Sequence, residues 1–209
     1  GFSAVCIDTM SDSGVAALRS VLDIPVFGPG RASMLAALML GDRFSIVTMT
    51  ARWKPLYKKA LDELGMHHKC ASVRSVEIPP DNQSLLSGKE EDLFPLLLAA
   101  ATKAVEEDGA EVLILGSTTM HQSHAFLAGK LPVPVINPGP LTYKLAEAAL
   151  GLGLTHSRIE RSHRQIQRDL TLRGNDVLVS GKASFDEAAV NCRVRRLHKD
   201  VVLANVDAD

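Results

Sequence analysis

The chain has 209 residues, which is enough for one large domain or for two small lobes with a real core. Its 23 Lys and Arg residues against 24 Asp and Glu residues give a net charge of −1, which argues against a nucleic-acid binder and a polybasic membrane-surface protein. Apolar residues make up 46 % and charged residues 22 %, as in a globular protein. No apolar run is long enough for a membrane span.

The cysteines favour a reduced protein. Cys6, Cys70 and Cys192 lie far apart and form no C-x-x-C pair. A disulfide framework or a zinc site is therefore not expected, and we predict a cytoplasmic protein without a bound metal.

An internal repeat organises the chain. Residues 24–30, Ile-Pro-Val-Phe-Gly-Pro-Gly, match residues 133–139, Val-Pro-Val-Ile-Asn-Pro-Gly, at an offset of 109. Upstream, the apolar run Ala4–Ile7 matches Val112–Leu115. Several matches in one register indicate a duplicated α/β unit. The apolar runs are short and continuous, as expected of parallel strands covered on both faces.

Each repeated unit is predicted to run from a buried strand through a polar loop, a helix, a short strand and a Gly-Pro turn into a second helix. In the first unit the strand is Ala4–Ile7, the first helix begins near Ser13, and the second follows Gly28-Pro29-Gly30. More elements precede the second unit. They are a strand at Arg43–Thr48, a helix at Pro55–Leu64, a strand at Ser72–Ile78, a loop at Pro79–Lys89 and a helix at Asp92–Glu107.

These elements predict an α/β protein with two pseudo-symmetric lobes and parallel sheets. We expect residues 1–42 to form the first lobe, 43–153 the second, and 154–209 a C-terminal segment. By this symmetry we expect either that the first lobe is naturally minimal or that the chain lacks about 70 N-terminal residues, and we favour the second interpretation. Two interpretations of the C-terminal segment stay open, a solvated tail or a strand that completes the first lobe. Its predicted elements are an arginine-dense stretch at Arg158–Arg173, strands at Asp176–Ser180 and Val201–Ala204, and a helix at Ser184–Val190.

Ligands of parallel α/β sheets bind beyond the carboxyl ends of the strands. Two duplicated lobes would place Thr9 and Ser117, which follow equivalent strands, on one cleft. Small hydroxyl side chains and the backbone N–H groups of helix starts suit a carboxylate or an imide. The sequence thus predicts a site for a small molecule.

Several segments around these positions carry a family resemblance. They are residues 9–14 (Thr-Met-Ser-Asp-Ser-Gly) with Arg19, residues 25–28, residues 43–48, residues 115–120, residues 132–140 and residues 153–155. In order and spacing they resemble the aspartate/glutamate/hydantoin racemases over roughly Gly1–Arg158. The resemblance implies two flavodoxin-like lobes related by a pseudo-twofold, a homo-oligomer, and catalysis without a cofactor.

The resemblance also implies a mechanism with two cysteines, one per lobe, on opposite faces of the substrate α-carbon. Thr9 stands at the first cysteine position here, and Ser117 at the second. A thiol has a pKa of about 8.5, whereas an alcohol ionises only beside another base. We therefore predict Thr9, Ser117 and His121 as catalytic residues. The predicted substrate contacts are Met10, Ser11, Thr48, Thr118, Thr119 and His156.

The identity of the base stays open. Asp8 and Asp12 flank Thr9, and Asp12 either activates the site or caps the helix near Ser13. His121 and His124 share a helix face if that helix starts near Thr119, and they are otherwise a surface pair.

His156 either approaches the cleft or lies on the surface. Cys6 is expected to be a buried strand residue that points away from Thr9.

The leading hypothesis is a racemase or epimerase that acts at a carbon next to a carbonyl, on a hydantoin, a ureide or an amino dicarboxylate. The alternatives are a decarboxylase, a cis-trans isomerase or a hydrolase of the same superfamily, and a non-catalytic small-molecule binder.

Overall fold

The computed structural model describes residues 2–78, 90–157, 192–198 and 201–206. The first repeated unit forms strand β1 (Ala4–Ile7), helix α1 (Val15–Val21), strand β2 (Val26–Phe27) and helix α2 (Pro29–Ala37). The strand Ala4–Ile7 has its predicted bounds, and all four of its residues are buried.

The rest of the described chain alternates strands and helices. It contains β3 (Phe44–Thr48), α3 (Lys54–Leu64), β4 (Cys70–Ser75), α4 (Glu90–Glu106), β5 (Val112–Leu115), α5 (Ser123–Ala128), β6 (Val135–Ile136), α6 (Pro138–Gly151), β7 (Cys192–His198) and β8 (Val201–Val206). Short 3-10 helices lie at Ala51–Trp53, His67–Lys69 and Thr118–Met120. None of the helices described is long and apolar enough to cross a membrane.

The strands form two four-stranded sheets. One has the order β4-β3-β5-β6 and is parallel throughout, which is the flavodoxin-like order. The other has the order β2-β1-β8-β7, with β1 parallel to β2 and β8 and with β7 antiparallel to β8. The predicted α/β class with parallel sheets is confirmed, and the predicted strand Val201–Ala204 lies within β8.

The last helix of each repeated unit packs on the first strand of the other unit. Helix α2 contacts β5, helix α6 contacts β1, and α2 and α6 contact each other. Met34 and Ala37 of α2 are fully buried in one cluster with Ile114 of β5, and Ala146 of α6 is buried with Ala4 and Cys6 of β1. This exchange of helices ties the carboxyl ends of β1 and β5 to a common core.

Two predicted helix starts are wrong. Helix α1 begins at Val15 and not near Ser13, because the chain turns through Gly14, whose φ is 85°. Helix α5 begins at Ser123 and not near Thr119, because the Ser117 hydroxyl accepts the Thr119 N–H and favours the 3-10 turn in between.

The bounds of strand β4 also differ from the predicted Ser72–Ile78. Strand β4 starts two residues before the predicted Ser72, and it ends at Ser75 because Glu77 has a φ of 55°. The predicted elements at Pro79–Lys89, Arg158–Arg173, Asp176–Ser180 and Ser184–Val190 lie outside the described residues.

Candidate active site

A chain of hydroxyl groups follows strand β1. The Thr9 Oγ1 lies 3.1 Å from the Ser11 Oγ, which lies 2.7 Å from the Ser13 Oγ. All three side chains are half-buried. Each hydroxyl can both donate and accept, so these three hydroxyl groups can re-orient their protons around a bound polar group.

A matching pair follows strand β5. The Ser117 Oγ lies 2.8 Å from the Thr119 Oγ1 and accepts the Thr119 backbone N–H at 3.3 Å. Thr9 and Ser117 differ by 108 positions, and so do Ser11 and Thr119. The repeat thus places the same hydroxyl pair, two residues apart, at both strand ends.

One hydrogen bond joins the two strand ends. The Thr118 Oγ1 donates to the backbone carbonyl of Asp8 at 3.3 Å, across 110 residues of sequence. Asp8 directly precedes Thr9, and Thr118 directly follows Ser117. Residues from both repeated units therefore meet at one place, where the sequence predicts a common cleft.

Asp12 caps a different helix from the one predicted. Its Oδ1 accepts the Gly30 N–H at 2.8 Å and its Oδ2 accepts the Arg31 N–H at 2.7 Å, both at the start of α2. No side chain caps α1. The prediction that Asp12 caps the helix near Ser13 is wrong because its φ of 53° turns the chain towards α2.

The cap at α2 needs glycine on the helix side. A Cβ at Gly28 would lie 2.3 Å from the Asp12 Oδ1, and one at Gly30 would lie 2.3 Å from the Met10 carbonyl oxygen. Burial raises the pKa of the Asp12 carboxyl, and the N–H groups of Arg31 and Gly30 partly oppose this. Both oxygens accept backbone N–H groups at the start of α2, so Asp12 holds the loop in place.

The second repeated unit has no such carboxylate. Met120 stands 108 positions after Asp12, and Asn137, which directly precedes α6, makes no side-chain cap. The Asn137 Nδ2 donates to the His121 carbonyl at 3.4 Å, and the buried Asn137 Oδ1 has no hydrogen-bond partner among the described residues. The two halves of the site are therefore unequal.

A buried network lies behind Ser117. The Tyr57 hydroxyl donates to the Gly116 carbonyl at 2.5 Å and lies 2.9 Å from the Thr48 Oγ1. Thr48 is fully buried, so the structure places it behind the site and not on its surface. Tyr57 was missed by sequence reasoning, because a tyrosine on an amphipathic helix carries no signal of its hydroxyl partner.

Met10 also lies out of contact with solvent. It is 5 % exposed and packs in the cluster that contains Met34 and Phe44. Its side chain anchors the loop after β1 in the core. The predicted substrate contacts that remain accessible at the strand ends are Ser11, Thr118 and Thr119.

The histidines are in separate places. His121 is exposed and follows the 3-10 turn after Ser117. His124 lies 2.9 Å through its Nε2 from the Val135 carbonyl. His156 follows Thr155, which donates to the Asp23 carbonyl before β2, so His156 lies nearer the amino edge of that sheet than the strand-end hydroxyls.

The described cysteine side chains offer no ready thiolate. Cys6 is fully buried with its Sγ 3.9 Å from the Thr142 carbonyl, and burial with the nearby Asp8 charge raises its pKa to about 12. Burial raises the pKa of Cys70 on β4 to about 11. Cys6 is the buried strand residue that the sequence predicts.

Comparison with known proteins identifies a matching family model and several relatives. A family model described as Asp/Glu/Hydantoin racemase matches residues 1–146. A hydantoin racemase from Rhizobium meliloti is 32 % identical over 162 residues, which cover 76 % of this chain and 65 % of that relative. The chain thus spans a little under two thirds of that relative's length.

Two solved structures with the same fold are allantoin racemases. An allantoin racemase from Klebsiella pneumoniae has a TM-score of 0.71 and 30 % identity, covering 77 % of this chain and 64 % of its own. An allantoin racemase from Pseudomonas fluorescens has a TM-score of 0.70 and 28 % identity, covering 77 % of this chain and 67 % of its own.

Proposed function

The chain belongs to the Asp/Glu/hydantoin racemase family, and from this premise we propose that it is a racemase or epimerase of a cyclic imide or ureide, such as a hydantoin or allantoin. The reaction is proton exchange at the carbon next to a carbonyl, without a cofactor. The named relatives act on hydantoin and allantoin, which supports this substrate class over amino dicarboxylates.

The observation that carries the proposal is the meeting of the two strand ends. The hydrogen bond from Thr118 to the Asp8 carbonyl brings together hydroxyl pairs that the repeat makes equivalent. A two-base racemisation uses matched groups on opposite faces of one carbon, because one group removes a proton from one face and the other group delivers a proton to the opposite face. A duplicated site supplies two such faces.

The hydroxyl pairs suit the binding of an enolate and its parent imide. Thr9 with Ser11 and Ser117 with Thr119 donate to carbonyl oxygens that become negative as the proton leaves. Hydroxyls also accept from ring N–H groups, so they suit a hydantoin better than a dicarboxylate.

The proton itself needs an ionisable group on each side. Asp12 is engaged with α2, which leaves Asp8 beside Thr9 and His121 beyond Ser117. We assign these two side chains as the proton acceptor and donor, with roles that exchange for the two enantiomers. Thr9 and Ser117 then orient the substrate and relay protons.

The test is loss of optical activity. The purified chain is mixed with optically pure allantoin, 5-benzylhydantoin, L-aspartate or L-glutamate, and ellipticity is followed against a protein-free control. The proposal expects faster decay with a ureide or hydantoin, and a large loss of that activity in Ser117→Ala. Ser72→Ala is the matched control. It removes a half-buried hydroxyl whose oxygen lies 2.9 Å from the Ser45 Oγ, and Ser72 is not at either of the two strand ends of the site. If ellipticity decays at the protein-free rate with both allantoin and 5-benzylhydantoin, the proposal is contradicted.

A second candidate is a binder of the same molecules without turnover. It is favoured by the positions of the thiols, since neither Cys6 nor Cys70 follows the carboxyl end of a strand and burial raises the pKa of both. Calorimetric titration with allantoin separates the two candidates. Saturable heat without α-proton exchange supports a binder, and exchange supports the racemase. A homo-oligomer and a cytoplasmic location stay predictions.

A further inference from the structure

The peptide group between Gly116 and Ser117 is fixed from inside the protein. The Gly116 N–H donates to the Val47 carbonyl at 2.7 Å, and its carbonyl accepts the Tyr57 hydroxyl at 2.5 Å. No cis peptide bond is present among the described residues. In a trans peptide the C=O and the following N–H point in opposite directions. The Ser117 N–H therefore points away from Tyr57.

The hydroxyl protons of this network have one arrangement. Tyr57 spends its only O–H on the Gly116 carbonyl, so in its 2.9 Å contact with Thr48 it accepts and Thr48 donates. Both side chains are buried, Tyr57 at 1 % exposure. Burial raises the pKa of Tyr57 to about 12, so the hydroxyl stays protonated and donating across the usual working range of pH.

Gly116 has no room for a side chain at this position. A Cβ there would lie 2.8 Å from the Thr48 Cβ, 2.8 Å from the Tyr57 hydroxyl and 2.9 Å from the Val47 carbonyl oxygen. Real Cβ atoms do not approach other atoms so closely, and the absence of a side chain at Gly116 lets Tyr57 reach the carbonyl. The contact is thus a close fit between α3, β3 and the end of β5.

We propose that Tyr57 is a positioning residue of the site, which holds the Gly116 carbonyl inward so that the Ser117 backbone N–H faces the strand-end hydroxyls and donates to the substrate oxygen that becomes negative. This role rests on the proposed racemase function. A hydrogen bond to a peptide carbonyl also polarises the peptide and makes its N–H a stronger donor. Because the charge on that oxygen develops as the proton leaves, the effect falls on kcat more than on KM.

The test compares Tyr57→Phe with Ser45→Ala in the full chain. Tyr57→Phe keeps the ring and removes the hydroxyl. Ser45→Ala removes a fully buried hydroxyl from the same strand as Thr48, where it bonds Ser72 at 2.9 Å. Thermal unfolding of both variants checks that they fold.

Two readouts decide the outcome. In Tyr57→Phe we expect the Gly116 carbonyl carbon and the Ser117 amide to shift in NMR spectra without substrate, and kcat for α-proton exchange of allantoin to fall about tenfold with a smaller change in KM. Ser45→Ala should change neither. Unchanged Gly116 and Ser117 resonances in Tyr57→Phe would overturn the inference, even if the wild-type chain proves inactive. In an active chain, a fall in kcat no larger than that of Ser45→Ala would also overturn it. Shifted resonances in a chain that exchanges no proton would uphold the orientation by Tyr57 and contradict the proposed function alone.

Discussion

The two hydrogen bonds from the start of α2 to Asp12 allow a quantitative test of how the first strand end is held. Asp12→Ala removes both acceptors, at 2.8 Å from the Gly30 nitrogen and 2.7 Å from the Arg31 nitrogen. It also removes a negative charge from the positive end of the helix dipole. The loop with Thr9 and Ser11 then loses its link to α2.

The free energy of unfolding that Asp12→Ala should lose is the balance of two opposing effects. A helix cap contributes about 1–2 kcal/mol, and bonds to a charged acceptor add to this. The burial that raises the pKa of Asp12 shows that the ionised carboxyl is itself costly, which offsets part of the gain. We expect Asp12→Ala to lower the free energy of unfolding by about 2 kcal/mol, or Tm by about 4–8 °C for a chain of this size.

The assay is thermal and urea unfolding followed by circular dichroism, with Asp42→Ala as the control. Asp42 is exposed, and its backbone N–H, which the substitution keeps, bonds Glu111. Asp12→Asn should recover only part of the loss, because its amide group faces an N–H donor. A cost for Asp12→Ala within about 0.5 kcal/mol of the control would refute the reasoning.

The pH dependence of the same variant has a definite sign. The pKa of Asp12 is higher in the folded state than its ordinary value of 3.8. The stability linked to this shift is present below pH 3.8 and is lost as the pH rises through the raised pKa. The difference in Tm between the wild-type chain and Asp12→Ala should therefore be larger in acid than at neutral pH, and a difference that grows with pH would contradict it.

Three further predictions use other parts of the molecule. Gly30→Ala should destabilise the fold by more than about 2 kcal/mol, because its Cβ would lie 2.3 Å from the Met10 carbonyl oxygen. In the repeat equivalent Gly139→Ala, the Cβ would meet nothing nearer than 3.7 Å, so this variant should cost little stability. Equal losses of stability for the two variants in urea unfolding would refute this. The thiols of Cys6 and Cys70 should resist iodoacetamide at pH 8 until urea unfolds the chain, because burial raises their pKa values to about 12 and about 11; rapid labelling in the native state, seen by mass spectrometry, would refute this. The Arg74 guanidinium holds the pKa of Asp108 below its ordinary value of 3.8, so Asp108→Asn should lower Tm at pH 7. The difference in Tm between this variant and the wild-type chain should vanish as the pH falls through the lowered pKa. A Tm difference that persists in acid would contradict a stabilising ion pair.

The strands were the most predictable part of the fold. Ala4–Ile7 and Val112–Leu115 have their predicted bounds, because a short continuous apolar run between polar segments has few alternatives to a buried parallel strand. The repeat predicted that Thr9 and Ser117 would face one place, and the contact between Thr118 and Asp8 joins their two loops.

What the sequence could not indicate are contacts between distant residues. Asp12 precedes α1 and is of the residue type that commonly caps the next helix, yet its carboxylate accepts the N–H of Gly30 in α2, 18 residues further on. Nothing in a local pattern distinguishes these two partners. In the network of Tyr57 with Thr48 and Gly116, the bond from Tyr57 to Gly116 spans 59 residues and depends on how α3 packs on the second sheet.

The sequence pattern also did not predict where the helices begin after the two strand ends. Ser117 and Thr119 bond each other through their hydroxyls, and the Ser117 hydroxyl also accepts the Thr119 N–H, which competes with helix formation and delays α5 to Ser123. His121 lies between the 3-10 turn and α5, and its carbonyl accepts the His124 N–H at 3.3 Å.

The central claim is that the hydroxyl groups of the two strand ends serve proton exchange at a substrate carbon. The most direct measurement is proton NMR of allantoin in heavy water with the wild-type chain, Ser117→Ala and Thr9→Ala, against a protein-free control. The wild-type chain should replace the α-proton with deuterium faster than the control, and each variant should slow this exchange by at least about tenfold. An exchange rate in Ser117→Ala and Thr9→Ala equal to that of the wild-type chain would contradict it.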